Sequence, residues 1–149
     1  MRNCQTYITA CLASLMMFAA VARAETKSGD VTLKKQDVFD MPVSVQVGTK
    51  VHAACKFRSD DFFHQSVIIA NADLENTSDK PMYYVYNVAF FDADHHMIGC
   101  TSQGSMGQPL KAGEKTQLGS CIIFAPAAEI AKVKSYQVTW YETPNKGDL

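Results

Sequence analysis

Beyond residue 24 the chain contains no apolar run near the roughly 20 residues that a membrane helix needs, so no span is expected there. It has no run of lysine or arginine, which argues against nucleic acid or an anionic membrane surface as the main partner. Internal repeats and low-complexity tracts are missing, and no segment sustains a helical apolar period. Catalytic fingerprints are missing too: G-x-S-x-G, H-E-x-x-H, the P-loop and the dinucleotide glycine pattern do not occur. The carboxylate pairs Asp60/Asp61 and Asp92/Asp94 lie in polar stretches where aspartate serves turns. No C-x-x-C spacing marks a redox pair. The expectation is a protein that is not an enzyme and needs no cofactor.

What is present begins at the N-terminus. Arg2 supplies a positive charge, Tyr7 to Ala22 is free of charge, and Ala22-Arg23-Ala24 precedes Glu25. This is the pattern of a cleavable secretory signal over residues 1–24, which predicts a periplasmic or secreted protein. Ile8-Thr9-Ala10-Cys11 is a poor lipoprotein box, because almost no apolar stretch precedes Cys11. Cleavage would remove two bases and no acid from 14 and 15, leaving a charge of about −3. It would also remove Cys4 and Cys11, leaving Cys55, Cys100 and Cys121. An exported chain tends to pair its cysteines, and three leaves one over or pairs it between molecules. The expected disulfide is Cys100–Cys121, since both lie in apolar, strand-like segments of one compact region. Such a bridge would contribute about 3 kcal/mol in the chain-entropy model.

The remaining chain reads as strands and turns. Glu25 to Asp30 is polar and expected to be loose. Val43 to Val47 alternates with period two, Gly48-Thr49-Lys50 is a turn, and Val51 to Phe57 is a second strand. Arg58 to Asp61 reads as a polar connection. Ser66 to Glu75 places Ile68, Ala70, Ala72 and Leu74 on one face, and Asn76 to Pro81 is rich in turn formers. Met82 to Asp92 places Tyr84, Tyr86, Val88 and Phe90 on one face. Met97 to Ser102, Thr116 to Phe124 and Lys134 to Glu142 are further strands, with one helical turn at Pro126 to Ala131. Short strands at this spacing predict an antiparallel β-sandwich with alternate aromatic residues filling its core.

Several stretches together resemble a known family. Leu74-Glu75-Asn76-Thr77-Ser78-Asp79-Lys80-Pro81, Val88-Ala89-Phe90-Phe91-Asp92-Ala93-Asp94, Ile98-Gly99 and Leu110-Lys111-Ala112-Gly113-Glu114-Lys115 are similar to FxLYD-type domains of bacterial exported proteins. The resemblance runs from about Ser66 to Tyr141. It implies an immunoglobulin-like sandwich and a non-catalytic extracytoplasmic module. His95 stands where the family's D-A-D-G tip has glycine, Cys100 and Cys121 are additional, and residues 25–63 are not covered. The predicted organisation is therefore a signal peptide (1–24), an N-terminal extension or added strands (25–60), an immunoglobulin-like sandwich of about seven strands (61–143) and a polar tail (144–149).

Three groups of residues are candidates for function. His95 and His96 sit with Asp92, Asp94 and Met97 at a hairpin tip; imidazole suits copper and zinc, and thioether suits Cu(I). A solvated tip accounts for the same residues, and adjacent strand residues point to opposite faces. His52-x-x-Cys55 has ligand-like spacing and His64 follows, but a structural zinc site wants four ligands. Tyr83, Tyr84 and Tyr86 are candidates for contact with a protein, because tyrosine is enriched at interfaces. Asn76-Thr77-Ser78 matches a glycan acceptor, though turn chemistry explains it. The expected function is a protein-binding or assembly module acting on another extracytoplasmic protein; the alternative is a copper- or zinc-binding protein.

Overall fold

A computed structural model describes residues 24–33, 43–105 and 107–149. The predicted signal peptide, up to residue 23, lies outside the described residues. Two antiparallel sheets pack face to face. Sheet I has the order β1 (Glu25–Asp30), β9 (Ser135–Thr143), β5 (Tyr83–Phe91), β6 (Met97–Gly104). Sheet II has the order β2 (Val43–Val47), β3 (Val51–Phe62), β4 (Gln65–Asn76), β7 (Lys115–Gln117), and β8 (Cys121–Phe124) also pairs with β4. After β4 the chain crosses to sheet I for β5 and β6, returns to sheet II for β7 and β8, and ends in sheet I with β9. The class is the predicted one, an immunoglobulin-like antiparallel sandwich. Among the described residues, no helix is long and apolar enough to cross a membrane.

The period-two pattern places the core. Ile68, Ala70, Ala72 and Leu74 of β4 face Tyr84, Tyr86, Val88 and Phe90 of β5, all of them buried. Phe57 from sheet II meets Phe90 from sheet I edge-on, with centroids 5.2 Å apart. Tyr84 stacks on Trp140 at 5.3 Å and 6°. Burying each such side chain is worth about 1.5–3 kcal/mol. One edge of the sandwich closes where β6 passes β8. There a Cβ on Gly99 would stand 2.5 Å from Ile123 Cγ2, so only glycine allows the approach.

Three expectations need correction. Glu25–Asp30 is not loose: it forms edge strand β1, in register with β9 from Glu25↔Trp140 to Asp30↔Ser135. It has no apolar residue to bury, and backbone pairing with β9 orders it. The stretch expected as an N-terminal extension or added strands (25–60) supplies β1 to sheet I, and β2 and most of β3 to sheet II. Arg58 to Asp61 is not a connection. β3 continues to Phe62, since all twelve of its residues pair with β4. The strand expected over Thr116 to Phe124 is broken into β7 and β8; with β1 added, the described residues hold nine strands. The helical turn appears as α1 (Ala127–Ile130), and a 3-10 turn (Lys146–Asp148) ends the chain.

The disulfide expectation also fails. Cys55, Cys100 and Cys121 are all free thiols. Cys100 pairs with Ala89 on the outer face of sheet I, whereas Cys121 pairs with buried Ala70 and packs against the core. Cross-strand partners share a face, so the two sulfurs diverge. Cys121 Sγ instead donates to Gln103 Oε1 at 3.0 Å.

Candidate functional site

The long β3–β4 hairpin ends in a two-residue turn, Phe63-His64, closed by the pair Phe62↔Gln65. Both turn residues have positive φ, 50° and 64°. That is the type I′ arrangement, which normally takes Asn-Gly because a Cβ crowds the backbone there. A bulky residue in this region is a genuine outlier, and such strain concentrates at functional positions. Phe63 is 83% exposed, Phe124 58% and Phe62 38%. Phe62 contacts both of the others edge-on, at 4.5 Å from Phe63 and 6.3 Å from Phe124. Phe124 arrives because β8 pairs with β4 in the register Val67↔Phe124, which puts it on the outer face beside the turn. A cleft of about 430 Å³ beside the turn is lined by His64, Gln65, Ser66 and Phe124 through Ala127. Three exposed phenyl rings thus crown one end of the sandwich.

Sequence reasoning did not single out Phe62, Phe63 or Phe124. One signal was available. Between the runs Val51 to Phe57 and Ser66 to Glu75 there is no glycine, asparagine or proline, so a type I′ turn there has no Asn-Gly to use.

The second cluster is the β5–β6 tip. Asp92 Oδ1 accepts from the backbone amides of Asp94 (2.9 Å) and His96 (2.8 Å), and His96 Nδ1 lies 3.3 Å from Asp92 Oδ2. These contacts, led by the His96 amide, hold the Asp92 carboxyl below its usual range. Asp92, Asp94 and His96 bring three potential ligand atoms within 4.8 Å of one another. His95 is not part of this group. It takes φ 61°, the conformation that the resemblance assigns to glycine.

The other predicted ligands do not assemble. His52 is exposed, Cys55 is fully buried between the sheets, and His64 sits on the aromatic turn. Residues three apart on a strand face opposite ways, so H-x-x-C cannot converge on β3. Burial pushes the Cys55 thiol up to about 12, which makes it a poor ligand and nucleophile. Of the predicted tyrosines, Tyr84 and Tyr86 are core residues, because their pairing with Glu142 and Trp140 turns them inward. Tyr83 is half-buried on the outer face. Asn76 is also fully buried. Its Nδ2 donates to Leu110 O and Lys80 O at 2.8 Å, which explains the Asn-Thr-Ser stretch as a structural clamp.

A further polar site joins the sheets. Glu142 Oε1 accepts from Thr49 Oγ1 (2.6 Å), Lys50 N (2.8 Å) and Thr49 N (3.2 Å). Its Oε2 accepts from Val51 N (2.9 Å) and Trp140 Nε1 (3.1 Å). Burial alone would raise its pKa, but the donors from Thr49, Val51, Lys50 and Trp140 outweigh it and hold the group below its ordinary value. With both oxygens engaged by the β2–β3 turn, this carboxylate is a structural tie.

No family model and no curated protein matches the chain. Among solved structures it is similar to the Salmonella enterica trimeric lipoprotein SadB, at TM-score 0.47 and 10% identity over 95% of this chain and 72% of that one. A structure of infectious bursal disease virus Gx strain is similar at TM-score 0.39 and 15% identity, over 85% of this chain and 28% of that one.

Proposed function

We propose that this is an exported, non-catalytic binding module that engages another extracytoplasmic protein through the aromatic end made by Phe62, Phe63 and Phe124. The observation that carries the reading is Phe63. It stands 83% exposed in a backbone conformation that costs its side chain energy, where Asn-Gly would serve folding better. Exposed aromatic rings suit interface hot spots. The FxLYD-type resemblance agrees with a module that works by contact. Export is supported by the signal pattern and by the start of β1 at Glu25, the residue that cleavage after Ala24 would expose. The test places a photo-crosslinking residue at Gln65 in exporting cells. A discrete crosslinked protein, lost on Phe63→Ser and on Phe124→Ser in folded variants, is the expected result. Capture unchanged in both variants overturns it.

The Asp92/Asp94/His96 group favours a second reading, a surface site for zinc or copper(II), whose chemistry accepts carboxylate with imidazole. Titration calorimetry should then give one ion per chain, lost on His96→Ala and kept on His95→Ala. No heat above that of the His96→Ala protein removes this reading.

A further inference from the structure

Two carboxylates on neighbouring strands hold the β2–β3 turn. Glu25 Oε2 accepts from Gly48 N at 2.7 Å, and Glu142 accepts from the next three amides, those of Thr49, Lys50 and Val51. β1 pairs with β9 in the register Glu25↔Trp140. The strands are antiparallel, and Trp140 and Glu142 share a face, so the nitrogen of Glu25 lies on the Glu142 side of its pair. A cavity of about 360 Å³ opens there, and Ala24, Glu25, Gly48, Thr49 and Glu142 are among its lining residues. Its negative charge is poorly balanced. Glu142 is 8% exposed, its donors are amides, a hydroxyl and an indole, and it makes no ion pair among the described residues. Glu25 Oε1 lies 3.2 Å from Lys27 Nζ, on a lysine side chain that is 45% exposed.

We propose that this cavity receives the α-ammonium group that signal cleavage creates at Glu25, and that the new charge locks β1 and the β2–β3 turn to the end of β9. The inference rests on cleavage after Ala24, which belongs to the export reading above. Hydrolysis of the Ala24–Glu25 bond adds the hydroxyl of water to the Ala24 carbonyl carbon. The nitrogen of Glu25 leaves as an amine and takes up a proton at neutral pH. A neutral peptide amide thus becomes a cation with three donors, without moving from the strand. Removing Ala24 also takes away one wall of the cavity, which gives the ammonium room to turn toward the two carboxylates. A half-buried carboxylate gains more from a cation than a solvated one does, because water screens the pair less. The uncleaved chain lacks this charge, so β1 and its turn reach full stability only after processing.

The experiment compares the chain that begins at Glu25 with the same chain acetylated on that nitrogen. The acetyl group restores the neutral amide of the precursor and changes nothing else. At pH 6 the free-amine form should melt about 4 °C higher. The difference has a definite pH limit. The carboxylates favour the ammonium in the folded state, so its contribution is complete below the ordinary α-amine value of about 8 and is lost as pH rises through the folded value. The two forms should therefore melt together near about pH 10. In Glu142→Gln the effect of acetylation should shrink by about half or more, since one of the two carboxylates is gone. Acetic anhydride at pH 7 should modify the Glu25 amine about tenfold more slowly than the amine of a chain that begins at Ala24, because a pKa one unit higher leaves a tenth of the free base. Equal melting of the two forms at pH 6 overturns the proposal and leaves the export reading standing. An acetylation effect that persists unchanged above pH 10, or in a folded Glu142→Gln protein, also overturns it. Intact mass of the exported protein should give Glu25 as the first residue; a different first residue removes the cleavage on which the proposal depends.

Discussion

Trp140 Nε1 donates to Glu142 Oε2 at 3.1 Å, two positions along the same strand, and that carboxylate also holds three backbone amides of the facing sheet. One acid therefore fixes the largest core side chain and the β2–β3 turn together. The turn needs that help. Gly48 has φ 87°, and a Cβ there would run into Val51 O and stand 3.0 Å from the Trp140 indole nitrogen.

Glu142→Ala leaves these donors buried without a partner, so a loss of about 3 kcal/mol is expected in urea unfolding at pH 7. Glu142→Gln turns an amide toward donors and should cost nearly as much. The pH dependence has a definite sign. The folded pKa lies below the unfolded one, so the contribution is complete above the unfolded carboxylate value, about 4.3. It is lost as pH falls through the folded value. Stability measured from pH 7 to pH 3 should decline less steeply in Glu142→Gln than in wild type; equal slopes would remove Glu142 from the acid limb.

The aromatic turn trades stability against contact. Phe63→Asn with His64→Gly supplies residues that adopt positive φ readily, and should raise unfolding free energy by about 1–2 kcal/mol. The same double variant should lose the crosslinked partner. Thermal melts and capture from one preparation check both halves, and a variant no more stable than wild type would show that the turn carries no strain.

His95 offers a separate measure of backbone strain. At φ 61° and exposed, it should be replaceable by glycine with a gain of about 1 kcal/mol. The Asp92–His96 contact does not involve the His95 ring, so any metal binding at the tip should persist in His95→Gly. Chemical unfolding of the two proteins side by side is sufficient.

The thiols should react in order of exposure. Cys100 labels first with iodoacetamide under native conditions. Cys121 follows, held by Gln103. Cys55, pushed up to about 12 and fully buried, labels only on unfolding. Mass spectrometry without reductant should show no bridge between Cys100 and Cys121; finding one would require β6 to turn its face.

Much of the core was legible because strand alternation reports burial directly. Ile68, Ala70, Ala72 and Leu74, and then Tyr84, Tyr86, Val88 and Phe90, were placed correctly from period two alone. Edges were not legible. β1 has no apolar residue, so nothing local distinguishes it from a loose tail. The polar end of β3 looks like a connection until its partner on β4 is known. The site failed for a related reason. A turn built from Phe63-His64 violates local preference, and local rules find turns by glycine, asparagine and proline.

By itself the sequence determined the sandwich class, the inward faces of β4 and β5, and the turn chemistry at Asn76 and Asp92, because period and turn residues act over a few positions. Only the tertiary structure decided strand pairing, and through it every function-bearing relationship. Register put Phe124 beside Phe62 and turned Cys100 out and Cys121 in. Which residues become neighbours across sheets depends on long-range hydrogen bonding and packing, and a pattern of local spacing carries no record of that.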